Sequence, residues 1–170
     1  MHEFISKNEA GRDFAVGDIH GCYGLLVEAL EYEGFDKVKD RLFSVGDIID
    51  RGPESEECLS LLKEPWFFMV RGNHEQMCVE ACRLGGGESW WASYGSWAKW
   101  IDPSDMEDLA KAFDNLPISM TLDCGEFSVG LCHAEPDGQD WKNTRANPRS
   151  QNVMLWGRKV LSGDIQYNVE

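Results

Sequence analysis

Three times in its first half the chain makes the same move: a short apolar segment runs into glycine, and a polar loop follows. Asp13–Val16 (DFAV) leads to Gly17-Asp18-Ile19-His20-Gly21. Arg41–Val45 (RLFSV) leads to Gly46-Asp47-Ile48-Ile49-Asp50-Arg51-Gly52, and WFFMV leads to Arg71-Gly72-Asn73-His74-Glu75. Helical patterns separate the three. GCYGLLVEALEYEGF has apolar residues at helical spacing and Gly34 where a helix would end; Pro53 suits a first helical position, with Cys58, Leu61 and Leu62 on one face before Pro65. Strand alternating with helix implies parallel strands joined by crossovers, so the three loops should gather at one end of a sheet, where ligands bind in such folds.

The rest of the chain reads as follows. A helix is expected from Glu75 to Leu84, closed by Gly85, Gly86 and Gly87. In SWWASYGSWAKWI, Trp90, Tyr94, Trp97 and Ile101 recur at helical spacing and read as a packed face rather than a ligand cage. Asp102-Pro103 starts a helix with Met106, Leu109, Ala110 and Phe113 on one stripe. ISMTL, a DCGE turn and FSVGLCH form a hairpin. Beyond Glu135 the sequence is polar and irregular apart from VMLW.

Composition narrows the function. The 170 residues, 42% of them hydrophobic, suit a single domain spanning 1–170 with its own core. A net charge of −14 argues against sequence-independent nucleic-acid binding and requires that any anionic substrate meet a local concentration of positive charge. No apolar run approaches membrane-spanning length, and MHEFISKNEAGRDF lacks a basic region followed by an apolar core, so the expectation is a cytoplasmic protein without membrane partners. The six cysteines read as reduced thiols; Cys78 and Cys82, one helical turn apart, are only a weak hint of metal binding.

The loop residues have the chemistry of a metal site. Carboxylate and amide oxygens suit hard divalent cations, and imidazole adds affinity for manganese, iron or zinc. Asp18 and His20 alternate on extended backbone and can face one ion. Asp47 can bridge two ions through its two oxygens, and Asn73 and His133 would complete the second. Arg51 and Arg71 stand beside these ligands, and their guanidinium forks suit phosphate oxygens. Buried without partners, these acidic and imidazole groups would each be costly; metal ligation removes that cost for all of them together.

GDIHG, GDIIDRG and RGNHE resemble the signature blocks of the calcineurin-like metallophosphoesterases, in particular the phosphoprotein phosphatase branch and its bacterial and phage lambda-type serine/threonine phosphatases. The resemblance runs from about Phe14 to Arg158. It implies an α/β/β/α four-layer sandwich around two divalent ions, often manganese, with zinc, iron or nickel as other occupants. It also implies that His74 is the general acid, that Asp50 orients it, and that Arg158 in Trp156-Gly157-Arg158 is a further phosphate contact. The implied reaction is in-line attack on phosphorus by a hydroxide activated between both ions, releasing phosphate from phosphorylated protein substrates.

Two further blocks belong to that pattern, Gly-His-Thr and Asp-Thr-Gly, and neither occurs here. The histidines are His2, His20, His74 and His133. The expectation is therefore a C-terminally shortened member without its last strands, whose second ion has one protein ligand fewer and whose activity is weakened. Two other functions stay open: hydrolysis of dinucleoside polyphosphates, and a low-activity module that binds metal or phosphopeptide.

Overall fold

The three apolar segments become neighbouring parallel strands of one sheet. In chain order the strands are β1 (His2–Ile5), β2 (Asp13–Val16), β3 (Arg41–Ser44), β4 (Phe67–Met69), β5 (Ser119–Asp123) and β6 (Ser128–Cys132). The helices are α1 (Tyr23–Tyr32), α2 (Ser55–Cys58), α3 (Asn73–Leu84), α4 (Glu88–Ser93), α5 (Pro103–Asn115), α6 (Trp141–Ala146) and α7 (Gln151–Trp156). The structure, a computed structural model, describes residues 1–84, 88–138 and 140–159. Gly85, Gly86, Gly87 and the tail LSGDIQYNVE lie outside the described residues.

One sheet has the order β2-β3-β4, all parallel, with Phe14 opposite Leu42 and Leu42 opposite Phe67. The second has the order β1-β5-β6: β5 and β6 are the expected antiparallel hairpin, and β1 runs parallel to β5. Side-chain alternation along the strands shows how the layers stack. On β3, Leu42 packs with Leu26, Trp66 and Phe113 on the helix side, while Phe43 packs with Val70, Met120, Leu122 and Leu131 between the sheets. On the far face of the second sheet, Trp141 of α6 lies against Gly130, its indole N–H donating to Thr121 Oγ1 at 2.7 Å. Helices, sheet, sheet and helix therefore follow one another, the expected α/β/β/α order.

Several boundaries follow local chemistry. Asp102 caps α5 by accepting from the Ser104 N–H at 2.9 Å, and Pro103 occupies the first turn. Gly34, at φ +60°, ends α1 in the left-handed region.

Three expectations need correction. The helix expected from Pro53 starts at Ser55 and gives way to a 3-10 turn over Leu59–Lys63. Loop contacts claim its first turn, since the Glu54 N–H donates to the Gly21 carbonyl and Ser55 Oγ accepts from the Asp50 N–H. The tryptophan-rich segment is not one helix: α4 stops at Ser93, and Gly95, packed on the Trp90 ring, opens a 3-10 turn to Trp100. The region beyond Glu135 holds α6 and α7; Asp140 caps the former by accepting from the Lys142 N–H.

Asp40 closes the turn before β3. Its buried carboxylate accepts from the Arg12 side chain at 2.7 Å, the Arg12 N–H at 2.8 Å and the Asp36 N–H at 3.1 Å, and these bonds hold its pKa well below the usual carboxylate range. A depressed folded-state pKa contributes stability above the unfolded value, about 3.9, and loses it as pH falls through the folded one. Asp40→Asn should therefore lower the urea midpoint at pH 7, and the drop in midpoint from pH 7 to pH 3 should be smaller than in the unsubstituted protein.

Candidate metal centre

The loops after β2, β3 and β4, with His133 just beyond β6, meet at one end of the two sheets. Two backbone contacts bring them together. A Cβ on Gly72 would strike Asp47 and Glu75, and one on Gly46, at φ +99°, would strike the Gly72 backbone; a side chain at Gly52 would strike the carbonyls of His20 and Gly21. Among the described residues, the non-glycine residues with positive φ are His20, Asp47, Asp50 and Arg51, at +45°, +54°, +71° and +70°. All four stand in these loops. Such conformations cost on the order of 1–3 kcal/mol each and persist only where the surroundings over-determine them.

Two imidazoles are aimed by their backs. His20 Nδ1 donates to the Ile49 carbonyl at 3.0 Å and His133 Nδ1 to the Val45 carbonyl at 2.9 Å, which leaves Nε2 of each as a lone pair. His20 Nε2 lies 3.6 Å from both Asp18 Oδ2 and Asp47 Oδ2, and His133 Nε2 lies 3.5 Å from Asp47 Oδ2. These gaps are too long for hydrogen bonds. Two overlapping groups share Asp47: Asp18, Asp47 and His133, and His20, Asp47 and His74, each with candidate ligand atoms within 4.8 Å of one another. Asn73 is buried at the first position of α3, next to His74, whose N–H donates to Asp47 Oδ1.

His20 Nε2 is buried and lacks a hydrogen-bond partner, an arrangement that native interiors rarely tolerate. A divalent cation among Asp18, His20, Asp47 and His133 would resolve it, so oxygen and imidazole donors both fit such an ion.

Behind this cluster sits Glu75, fully buried. Its Oε2 accepts from the Asp47 N–H at 2.8 Å and the Gly72 N–H at 2.9 Å, and its Oε1 from the Ile48 N–H at 2.9 Å. Burial, with the Asp47 charge adding to it, pushes its pKa up to about 7 against the opposing pull of those three donors. One carboxylate thus fastens two loops. The Asp47 side chain is held in turn, its Oδ1 accepting from the His74 N–H at 2.9 Å.

His74 Nδ1 meets Asp50 Oδ2 at 2.7 Å, and its Nε2 lies 3.9 Å from Asp47 Oδ2. Arg51 Nη2 lies 3.3 Å from His74 Nε2; arginine carries only donors, so with this bond in place the His74 proton sits on Nδ1. Asp50 also accepts from two indoles, Trp90 Nε1–H at 2.9 Å and Trp97 Nε1–H at 2.6 Å.

The sequence-derived residues divide accordingly. Asp18, His20, Asp47 and His133 come together; Asn73, His74, Asp50 and Arg51 border them. Arg71 points away: its guanidinium donates to Gln76 Oε1 at 2.8 Å and to the Asp114 and Leu116 carbonyls, and pairs with Asp114 Oδ1 at 3.1 Å. Engaged with the end of α5, it is not presented to a phosphate here. Arg158 is exposed and bonds its neighbour's carbonyl, Gly157 O, at 2.7 Å. The cysteines are free thiols, and Cys78 and Cys82 belong to neither ligand group. Sequence reasoning missed Glu75, although it closes RGNHE, and missed the indole donors, which it read as packing.

The calcineurin-like phosphoesterase family pattern matches residues 14–166. The chain is 38% identical over 172 residues to serine/threonine-protein phosphatase 2 of Escherichia coli, covering 97% of this chain and 78% of that protein. It is 34% identical over 144 residues to a symmetrical bis(5'-nucleosyl)-tetraphosphatase of Dechloromonas aromatica, covering 84% and 50%. A crystal structure assigned provisionally to a diadenosine tetraphosphatase superposes with a TM-score of 0.63 at 27% identity over 81% of this chain. A Saccharomyces cerevisiae protein serine/threonine phosphatase shares the fold, with a TM-score of 0.59 at 19% identity over 88% of this chain. The chain spans 57% and 53% of those two solved chains.

Fold and site define a metallophosphoesterase. The chain belongs to the calcineurin-like phosphoesterase family, whose members use divalent metals.

Replacing the Glu75 carboxylate by an amide sets an NH₂ group against backbone N–H donors. Glu75→Gln should cost about 1–3 kcal/mol of stability in urea denaturation. It should also weaken manganese binding measured by titration calorimetry, because Asp47 loses its anchor.

Proposed function

We propose that this chain is a protein serine/threonine phosphatase that also accepts phosphotyrosine, hydrolysing phosphomonoesters at a centre of two divalent ions, with manganese the preferred metal. The observation that carries the reading is the Asp50–His74 pair beside the shared carboxylate, with His74 Nε2 turned toward Asp47. The similarity to bacterial serine/threonine phosphatases supports it.

In this reading Asp18 and His20 would hold one ion, Asn73 and His133 the other, and Asp47 would be shared by both. Bound there, the ions supply Lewis acidity toward phosphoryl oxygens and lower the pKa of water. The remaining work falls to the protein. Arg51 turns its guanidinium from His74 to the phosphate oxygens, the positive charge that this acidic chain otherwise lacks. That movement frees His74 Nε2 to carry a proton and deliver it to the departing serine or threonine oxygen. Asp50, accepting from Nδ1–H, keeps the ring oriented. Arg71 joins the phosphate site only by exchanging its contacts with Asp114, and Arg158 only by reaching over from the surface.

Dinucleoside-polyphosphate hydrolysis is the second reading, favoured by the tetraphosphatase relatives. Manganese-loaded protein should turn over a phosphoserine peptide faster than a dinucleoside tetraphosphate. Asp47→Asn should abolish that turnover, and His74→Asn should lower it by roughly 10²–10⁴-fold. Preference for the dinucleotide would install the second reading; metal uptake without turnover of either would leave a binding module.

A further inference from the structure

Asp50 is fully buried, and both of its oxygens are occupied. Oδ2 faces His74 Nδ1 at 2.7 Å and Trp90 Nε1 at 2.9 Å; Oδ1 faces Trp97 Nε1 at 2.6 Å. The indoles come from a different part of the chain, 40 and 47 residues beyond Asp50. They brace one another edge to face, with centroids 6.4 Å apart at 90°. Two large apolar side chains thus turn their single polar atoms onto one carboxylate.

We propose that Trp90 and Trp97 are positioning residues for phosphoester cleavage, holding Asp50 so that His74 presents Nε2 to the leaving oxygen. The proposal rests on the reading of His74 as the acid. An indole N–H is a donor only. It therefore stabilises the carboxylate anion and cannot take up the proton that His74 shares with it. A carboxylate facing one imidazole could rotate about its last torsion, a broad and soft one. With Trp97 on Oδ1 and Trp90 on Oδ2 the carboxylate plane is fixed, and the imidazole plane with it. Tyr94, between the two tryptophans in sequence, meets the His74 ring edge-on at 4.8 Å and is 37% exposed. The segment that anchors Asp50 from behind therefore also touches the His74 ring. Core packing alone would be served by phenylalanine at either position; the N–H atoms matter only if Asp50 must be held.

A dependence on the leaving group separates these roles. p-Nitrophenolate departs without a proton, whereas phenolate needs one, so only phenyl phosphate reports on the acid. With the manganese-loaded chain, Trp97→Phe should lower kcat on phenyl phosphate roughly 10-fold, a fraction of what losing the acid costs. Its kcat on p-nitrophenyl phosphate should change less than about 3-fold, with KM steady for both. Trp90→Phe should act in the same direction. Equal losses on both substrates, or no loss on phenyl phosphate, would overturn the proposal. His74→Asn is the reference: discrimination there but not in Trp97→Phe overturns the proposal alone, while none in His74→Asn overturns the reading of the acid and the proposal with it. A second measurement needs neither metal nor turnover. In the metal-free protein two indole N–H proton resonances should lie far downfield and exchange slowly, Trp97→Phe should remove one, and Asp50→Asn should move both upfield. Indole protons at ordinary shifts with fast exchange would refute the contact.

Discussion

The Glu75 carboxylate accepts three backbone N–H groups drawn from two loops, and the metal centre takes its shape from those bonds. Asp47 sits in left-handed backbone that disfavours a side chain, yet its oxygens have to reach imidazoles arriving from the loops after β2 and β6. Nothing within its own loop would keep it there. A charged acceptor in a dry interior does, because hydrogen bonds to ions are roughly twice as strong as neutral ones and strengthen further in low dielectric. The same environment raises the Glu75 pKa. Burial that strengthens the clamp also makes its charge costly.

A chain of dependence runs outward from that clamp. Gly72 and Gly46 touch backbone to backbone, so Glu75 can reach across. Asp47, once placed, accepts from the His74 N–H and sets the start of α3. His74 then meets Asp50, which stands on strained backbone and is held by Ser55 from one side and by two indoles from the other. The strain at His20, Asp47 and Asp50 is opposed by packing and hydrogen bonds from neighbouring loops, the pattern of a preorganised site, while Arg51 beside them is exposed.

Charge shows the same economy. The chain carries −14 overall, and its candidate phosphate cation Arg51 lies against His74 at the mouth of an acidic cluster. Arg71, equally close in sequence, is committed to Asp114 and α5. Sequence proximity could not separate these two arginines, because a guanidinium on a long stem takes whichever carboxylate the fold brings within reach.

Much of the fold was legible beforehand because it rests on local or periodic signals: apolar strands ending at glycine, the Asp102-Pro103 helix start, the β5–β6 hairpin. β1 escaped, since four residues become a strand only by pairing with β5 at a separation of over a hundred positions. The tryptophan-rich segment was misread because its period is helical while Gly95 and the pull of Asp50 bend it. What the residues alone determined is which side chains could ligate a metal: Asp18, His20, Asp47 and Asn73 follow from type and spacing in glycine-bounded loops, and His133 from its place at the end of an apolar strand. Which of them converge, which arginine faces the centre, and that Glu75, Trp90 and Trp97 hold it together were decided by tertiary structure, because a buried hydrogen bond between distant segments leaves no periodic trace in the chain.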